Sequence, residues 1–318
     1  MKSNRIGRTS VSLTKLGFGG APVGNLFRSI TDAEADGALS AAWDAGVRYF
    51  DTAPHYGLGL SERRLGASLA GRPRSDFVIS TKVGRLLSPN PSPTGSDLAA
   101  GGFDVPDDLI RTFDYSSDGV RHSIEESLWR LGLDYLDIVY VHDPDDYVDE
   151  VIRVTFPALV KLRDEGVVKA IGAGMNFPEP LLEFVRASDI DVVMLAGRWT
   201  LLDRSGGPLL DECHRRGVAV VSAAPFNSGL LSRARPSSEG HFDYDTVPPQ
   251  LLARARAIAE RCEAYGVTLP EVAINFPLRH EAVASVVAGF RTEEQARTGA
   301  QWMDAKISDE LWDELEAR

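Results

Sequence analysis

Three short apolar runs end in side chains capable of proton chemistry. Val47-Arg48-Tyr49-Phe50-Asp51 closes on a carboxylate, Ile79-Ser80-Thr81-Lys82 on an ammonium, and Val139-Tyr140-Val141-His142 on an imidazole. Lys82 is the most informative of these. The chain takes most of its positive charge from Arg, and Lys82 alone of its lysines ends an apolar run. An ammonium in that position needs a counter-charge, which Asp51 on the neighbouring run supplies. A purely structural ion pair would fit the same pattern, since such pairs shift pKa values without catalysing anything.

Five residues past Asp51, the segment Asp51-Thr52-Ala53-Pro54-His55-Tyr56-Gly57 brings in a tyrosine. Phenol is a poor acid at neutral pH, titrating ordinarily at about pH 10, and a neighbouring ammonium lowers that value by stabilising phenolate. Such a tyrosine exchanges a proton with a carbonyl or hydroxyl oxygen. A lone loop tyrosine is usually a packing residue, but the conjunction with Asp51, Lys82 and His142 favours catalysis. His55 invites a metal reading with His142 and Asp143; barrel metallohydrolases generally need an early His-x-His pair, which the sequence lacks, so no metal is expected.

The elements that would carry these groups alternate regularly. Strand candidates are Lys15 to Gly19, Val47 to Asp51, Phe77 to Lys82, Ile138 to His142, Ala170 to Gly174, Asp191 to Ala196, Ala219 to Ala223 and Ser285 to Gly289. Each is nearly continuous in apolar residues, as strands covered on both faces are, and each precedes a segment of helical spacing. Thr31-Asp32-Ala33-Glu34 is a capping-box pattern opening one helix, which Gly46 ends. Further helices are expected over Ser61 to Leu69, Ser117 to Leu131, Glu150 to Glu165, Pro178 to Ala187, Pro208 to Arg216, Pro249 to Tyr265 and Thr292 to Met303, three of them opening on proline. Eight βα units predict one closed (β/α)8 TIM barrel, a single domain over residues 1–318. Asn4 to Leu13 reads as an N-terminal β-hairpin plugging its bottom. Gly84 to Ser116 and Leu231 to Pro248 follow the third and seventh strands, are rich in Pro, Gly, Ser and Asp, and read as long loops over the catalytic face.

Composition narrows the partners. With 34 basic against 46 acidic side chains the net charge is −12, which disfavours nucleic acid and anionic membrane surfaces, both of which require clustered Lys and Arg. Cys213 and Cys262 are isolated and read as buried free thiols. The first sixteen residues lack the apolar stretch of a secretory signal and no later run spans a bilayer, so a cytoplasmic setting is expected. Nothing in the pattern sets the oligomeric state.

Gly46 to Gly57, followed by Ser61-Glu62 and Leu65-Gly66, resembles the first signature of the aldo-keto reductase family. Ser80-Thr81-Lys82 and the run Ser127 to Asp137 leading to His142 are similar to it as well, and the likeness extends over nearly the whole chain. The resemblance implies a single (β/α)8 barrel using NADP or NAD without a Rossmann domain. Consistent with that, Gly17-Phe18-Gly19-Gly20-Ala21-Pro22 puts Pro22 where GxGxxG needs its third glycine, and none of the eight tyrosines begins a Tyr-x-x-x-Lys pair. By the same resemblance Tyr56 is the acid/base residue, Lys82 and Asp51 tune it, and His142 orients or polarises the substrate oxygen.

The cofactor positions implied are Gly20, Asn176, the loop Asn227-Ser228-Gly229-Leu230, Gly289, Arg291 and Gln295; His55 and Trp199 are implied substrate contacts. Met175 stands where the family usually has Ser, and Ala223 approximately where an aromatic stacks on nicotinamide, a contact Trp199 could replace. Arg291 suits a 2′-phosphate and Glu293-Glu294 oppose one, so NADP and NAD both stay open. Within the family, His142 to Asp146 and Ile171 to Asn176 are most similar to the D-threo-aldose 1-dehydrogenase or L-fucose dehydrogenase branch, which implies oxidation of a sugar's anomeric hydroxyl to a lactone. Pyridoxal 4-dehydrogenase or a general aldehyde reductase is the alternative substrate reading. A non-catalytic dinucleotide-binding sensor is the alternative of another class, and the completeness of the four catalytic residue types favours the enzyme.

Overall fold

The central strands are buried almost throughout, and successive side chains turn alternately toward the helices and toward the barrel interior. Phe18, Phe50, Ile79, Val139, Ile171, Val193, Val220 and Val286 belong to the core between strands and helices. Their neighbours Tyr49, Ile138, Tyr140, Ala170, Val192, Met194, Val221 and Val287 fill the interior instead. The computed structural model describes residues 1–238, 241–242 and 245–316.

The closed barrel is formed by eight parallel strands: Leu16–Gly19, Tyr49–Asp51, Val78–Val83, Leu136–His142, Val168–Met175, Val192–Ala196, Ala219–Ala223 and Val283–Gly289. Each pairs with its neighbours in chain order, and the eighth closes on the first. The expected eight-strand barrel is therefore present, with boundaries displaced by at most two residues. Ser3–Arg5 and Ser12–Thr14 form the antiparallel hairpin below it, and Ile6, Val11 and Leu13 plug the interior beneath Tyr49 and Tyr140. Cys213 and Cys262 are buried free thiols.

Helices lie outside. Asp32–Asp44 starts at the Thr31–Glu34 capping box, with both reciprocal bonds made. Ser117–Leu131 and Pro178–Ala187 have the expected bounds. The helix expected over Glu150 to Glu165 is interrupted: a wide π turn over Val151–Thr155 precedes Phe156–Asp164. Pro157 has no N–H to continue the regular ladder, and the widened turn accommodates that. Leu269–Asn275 and Asp309–Glu316 are helices the strand-by-strand reading omits, because neither follows a barrel strand.

The expected long loop between Gly84 and Ser116 requires the largest correction. Arg85–Pro89 and Leu109–Phe113 pair as an antiparallel hairpin, with a single helical turn at Leu98–Gly101 between them. Neither strand has a fully buried face, so the usual apolar alternation is absent. Side chains hold the connection instead. Asp107 accepts from the Thr94 and Gly95 amides and the Thr94 hydroxyl, and Arg111 clamps Asp97 through two bonds. The second expected loop carries the pair His241–Phe242 and Asp245–Thr246; its residues 239–240 and 243–244 lie outside the described residues.

Candidate active site

Parallel pairing puts Asp51 beside Ser80 and Lys82 beside Tyr140, so the ends of strands two, three and four share one rim. Lys82 Nζ donates to Asp51 Oδ2 at 2.8 Å and to the Thr52 carbonyl at 3.0 Å. Ser80 Oγ donates to the other Asp51 oxygen at 2.6 Å, and Tyr49 and Tyr140 continue the chain of hydroxyls down the interior. Both Asp51 oxygens thus have donors, which a buried carboxylate requires. Burial alone would lower the Lys82 pKa, but Asp51 and Tyr56 outweigh it and push it up to about 12. The lysine is a fixed cation.

Tyr56 sits in the loop after strand two with Lys82 Nζ 4.6 Å from its ring centre, His142 edge-on at 5.8 Å and Phe103 at 6.0 Å. Burial pushes its phenol up to about 12, Lys82 pulls it down and Asp51 pushes it up again. The lowering expected from Lys82 is therefore present but smaller than the cost of burying phenolate. Without a ligand the residue is a phenol at neutral pH.

His142 is buried, and burial holds its pKa well below the usual imidazole value, with Arg85, Lys82, His55 and Arg111 adding repulsion. His55 is lowered likewise to about 2, by burial and then by Arg111, Arg85 and Lys82. Two neutral imidazoles face Tyr56, their ring centres 5.4 Å apart. Neither Nδ1 has a partner among the described residues. A neutral imidazole in such a place orients or polarises a carbonyl or hydroxyl oxygen. His55 is held there by Arg111, which donates to its carbonyl at 2.9 Å.

The opposite side of the mouth is built of small residues. Gly19, Ala196, Ala223 and Gly289 end strands one, six, seven and eight. A Cβ on Gly20 would lie 2.5 Å from Ser61 Oγ and 2.6 Å from the Asp51 carbonyl oxygen, so only glycine lets this turn approach the second strand. Beyond strand seven the backbone is left-handed at Ala224, Asn227, Ser228 and Gly229, an unusual density that folds the segment into consecutive tight turns closed by its own backbone hydrogen bonds. Asn227 is buried with Oδ1 unpartnered among the described residues, while Ser228 and Gly229 are exposed. The Leu230 side chain enters the core, leaving only its backbone at the turn. Asn176 directly follows the fifth strand, half-buried at the rim.

At the far end Thr292 caps helix Glu293–Trp302, and Gln295 Oε1 accepts from the Arg291 amide. Arg291 is half-buried and donates from Nη2 to the Leu26 carbonyl at 2.6 Å; its Nε is buried without a partner among the described residues. Burial and nearby Arg28 lower its pKa. Arg28 was not legible as a neighbour, since it comes from the loop after strand one. Glu293 pairs with Arg297 one helical turn on. The orphaned Asn227 oxygen, the left-handed turn and two guanidiniums at a helix start fit an extended dinucleotide.

Trp199 is not brought to the catalytic rings. It packs at 5.6 Å against both Phe276 and His280, in the wall beside strand seven, with its Nε1 unpartnered among the described residues. Several motif residues act one layer back. Ser61 joins Gly20 to Thr52, and buried Glu62 bonds Thr81 at 2.7 Å and Arg130 at 2.5 Å. Asp137 ties Arg74, the Ile79 amide and Lys169 together at the strand bases. Ser80, two residues before Lys82 and hence on the same strand face, could have been identified from alternation alone. Among the described residues no group of three His, Cys, Asp or Glu side chains could hold a metal ion, and no helix is long and apolar enough to cross a membrane.

The sequence profile of the Aldo/keto reductase family matches residues 15–318. A D-threo-aldose 1-dehydrogenase from a Pseudomonas species is 48% identical over 97% of this chain and 95% of its own length. A pyridoxal 4-dehydrogenase from Microbacterium luteolum is 39% identical over 98% and 95%. Among solved structures, the holo form of an aldo-keto reductase from Bacillus halodurans superposes with a TM-score of 0.78 at 26% identity, over 100% of this chain and 96% of that one. The chain belongs to the aldo/keto reductase family. It is an oxidoreductase that works with NADP or NAD.

Proposed function

We propose that the enzyme oxidises the anomeric C1 hydroxyl of an aldose, of the L-fucose or D-threo-aldose type, to the lactone. The observation that carries this reading is the chain Asp51–Lys82–Tyr56 set against neutral His142, joined to 48% identity with a D-threo-aldose 1-dehydrogenase. Tyr56 takes the proton of the C1 hydroxyl as the carbon–oxygen double bond forms. Lys82 stabilises the phenolate this requires, and Asp51 with Ser80 fixes Lys82. His142 holds the substrate oxygen between its ring and Tyr56. A nicotinamide dinucleotide held in this site would supply the acceptor for the hydride leaving C1. We assign its carboxamide to Asn176, its pyrophosphate to Asn227, Ser228, Gly229 and the Leu230 backbone with Gly20 and Gly289 giving room, and its adenosine end to Arg291 and Gln295.

Pyridoxal 4-dehydrogenase activity is the second reading, supported by the 39% relative. The single-domain organisation over residues 1–318 and a cytoplasmic setting belong to the same proposal. A panel of L-fucose, L-galactose, other aldoses and pyridoxal, followed at 340 nm with NAD and with NADP, tests it. Turnover highest on an aldose is expected. Turnover on pyridoxal alone would transfer the assignment to the second reading, and dinucleotide binding without turnover on any of them would contradict both.

A further inference from the structure

Directly after His142 the backbone turns left-handed at Asp143, with φ 40°, and its amide donates to the Gly174 carbonyl at 3.0 Å. That turn brings the Asp143 carboxylate back over the site, where Oδ2 lies 3.6 Å from His142 Nε2. Arg85, the first residue of the hairpin over the mouth, donates from Nη2 to the same Oδ2 at 2.7 Å. The pair is not closed on itself. Among the described residues Oδ1 accepts nothing and the Arg85 side chain makes no other hydrogen bond, while the Asp143 side chain is 32% exposed. Arg111 in the same hairpin, by contrast, engages both oxygens of Asp97.

The neighbouring wall is aromatic. The Arg85 guanidinium lies 5.5 Å from the Phe113 ring centre, and that half-exposed ring stacks on Tyr147 at 6.0 Å and Tyr115 at 6.3 Å. A carboxylate oxygen accepts from hydroxyls, a guanidinium donates to them, and a ring face covers C–H surface, which is the combination a polyol presents. Beyond its reacting carbonyl oxygen, a plain aldehyde offers nothing to the first two. A site built to bond a hydroxyl discriminates strongly against the analogue without it, because its own polar groups are then left unpaired.

We propose that Asp143 and Arg85 form a hydroxyl clamp beside the reacting carbon, gripping the hydroxyl on the adjacent carbon and selecting polyhydroxylated substrates over plain aldehydes. The clamp rests on Tyr56 and His142 marking the reacting carbon, as the proposed function has it, but not on which sugar is used. Its test is therefore the reduction of glyceraldehyde against propanal with the reduced dinucleotide. The two differ in the hydroxyls and share the aldehyde.

The wild-type kcat/KM should favour glyceraldehyde, and Asp143→Asn and Arg85→Met should each cut that preference about tenfold or more, mainly through KM for glyceraldehyde. Asparagine tolerates the left-handed backbone that Asp143 occupies, so the fold should survive, and dinucleotide affinity serves as the check. A wild type without the preference, variants that keep it, or equal losses on both aldehydes would overturn the clamp; the last would make Asp143 a positioning residue for His142. Failure of L-fucose oxidation alongside intact glyceraldehyde preference would instead count against the sugar assignment alone.

Discussion

Lys82 holds its ammonium 4.6 Å from the centre of the Tyr56 ring, and burial works against what that charge does. The phenol remains high, at about 12, because desolvation exceeds the attraction. Removing the lysine removes the downward pull and leaves the upward one. Lys82→Met should therefore move the rising limb of the pH profile for oxidation, and with it the basic optimum, to higher pH and lower the rate at any fixed pH below it. Asp51→Asn should be milder, since the ammonium survives. A slow Lys82→Met enzyme with an unchanged profile would assign the lysine to positioning only.

His142 gives a stability prediction of definite sign. Its folded pKa is held well below that of the unfolded chain, where imidazole titrates near about 6.5. The unfolded state thus binds the extra proton on acidification. The stabilising contribution is complete above about pH 6.5 and is lost as pH falls, at up to about 1.4 kcal/mol per pH unit for this group. Urea midpoints between pH 7.5 and 5 should fall for the wild type and fall less for His142→Asn. Parallel slopes would show that His142 charges in the folded protein.

Arg291 offers a test of the cofactor preference. Its guanidinium is anchored on the Leu26 carbonyl beside Arg28, and Glu293, whose charge would repel a 2′-phosphate, is neutralised by Arg297. Arg291→Ala should weaken NADP by about 1.5–3 kcal/mol and barely change NAD, read as dissociation constants. Added salt should erode the wild-type preference in the same direction. Equal losses for both cofactors, or none, would remove Arg291 from the choice.

The barrel and its four central residues were legible because their signals are local. Asp51 and His142 terminate apolar strands and Lys82 stands one residue before the end of another, and strand ends of this topology converge on one face. Thr31 and Glu34 likewise marked a helix start within four residues. The Arg85–Pro89 hairpin was not legible, because it is held by Asp107, Asp97 and Arg111 side chains rather than by a buried face. The packing of Trp199 was not legible either: a residue past a strand end can fold back into the wall, and only its neighbours Phe276 and His280 show that. The Thr268–Glu271 capping box was a usable signal for helix Leu269–Asn275, but the one-helix-per-strand frame left it without a place.

Tyr56 is the group on which the proposed chemistry depends, and its substitution tests the account most directly. Tyr56→Phe removes one hydroxyl and keeps the ring that packs on His142 and Phe103. Turnover of the best aldose should fall at least about a hundredfold, the lower end of general acid/base contributions, while dinucleotide affinity, measured separately by fluorescence titration, stays near wild type. A variant that binds the dinucleotide normally and keeps most of its turnover would contradict the assignment of Tyr56 as the proton acceptor.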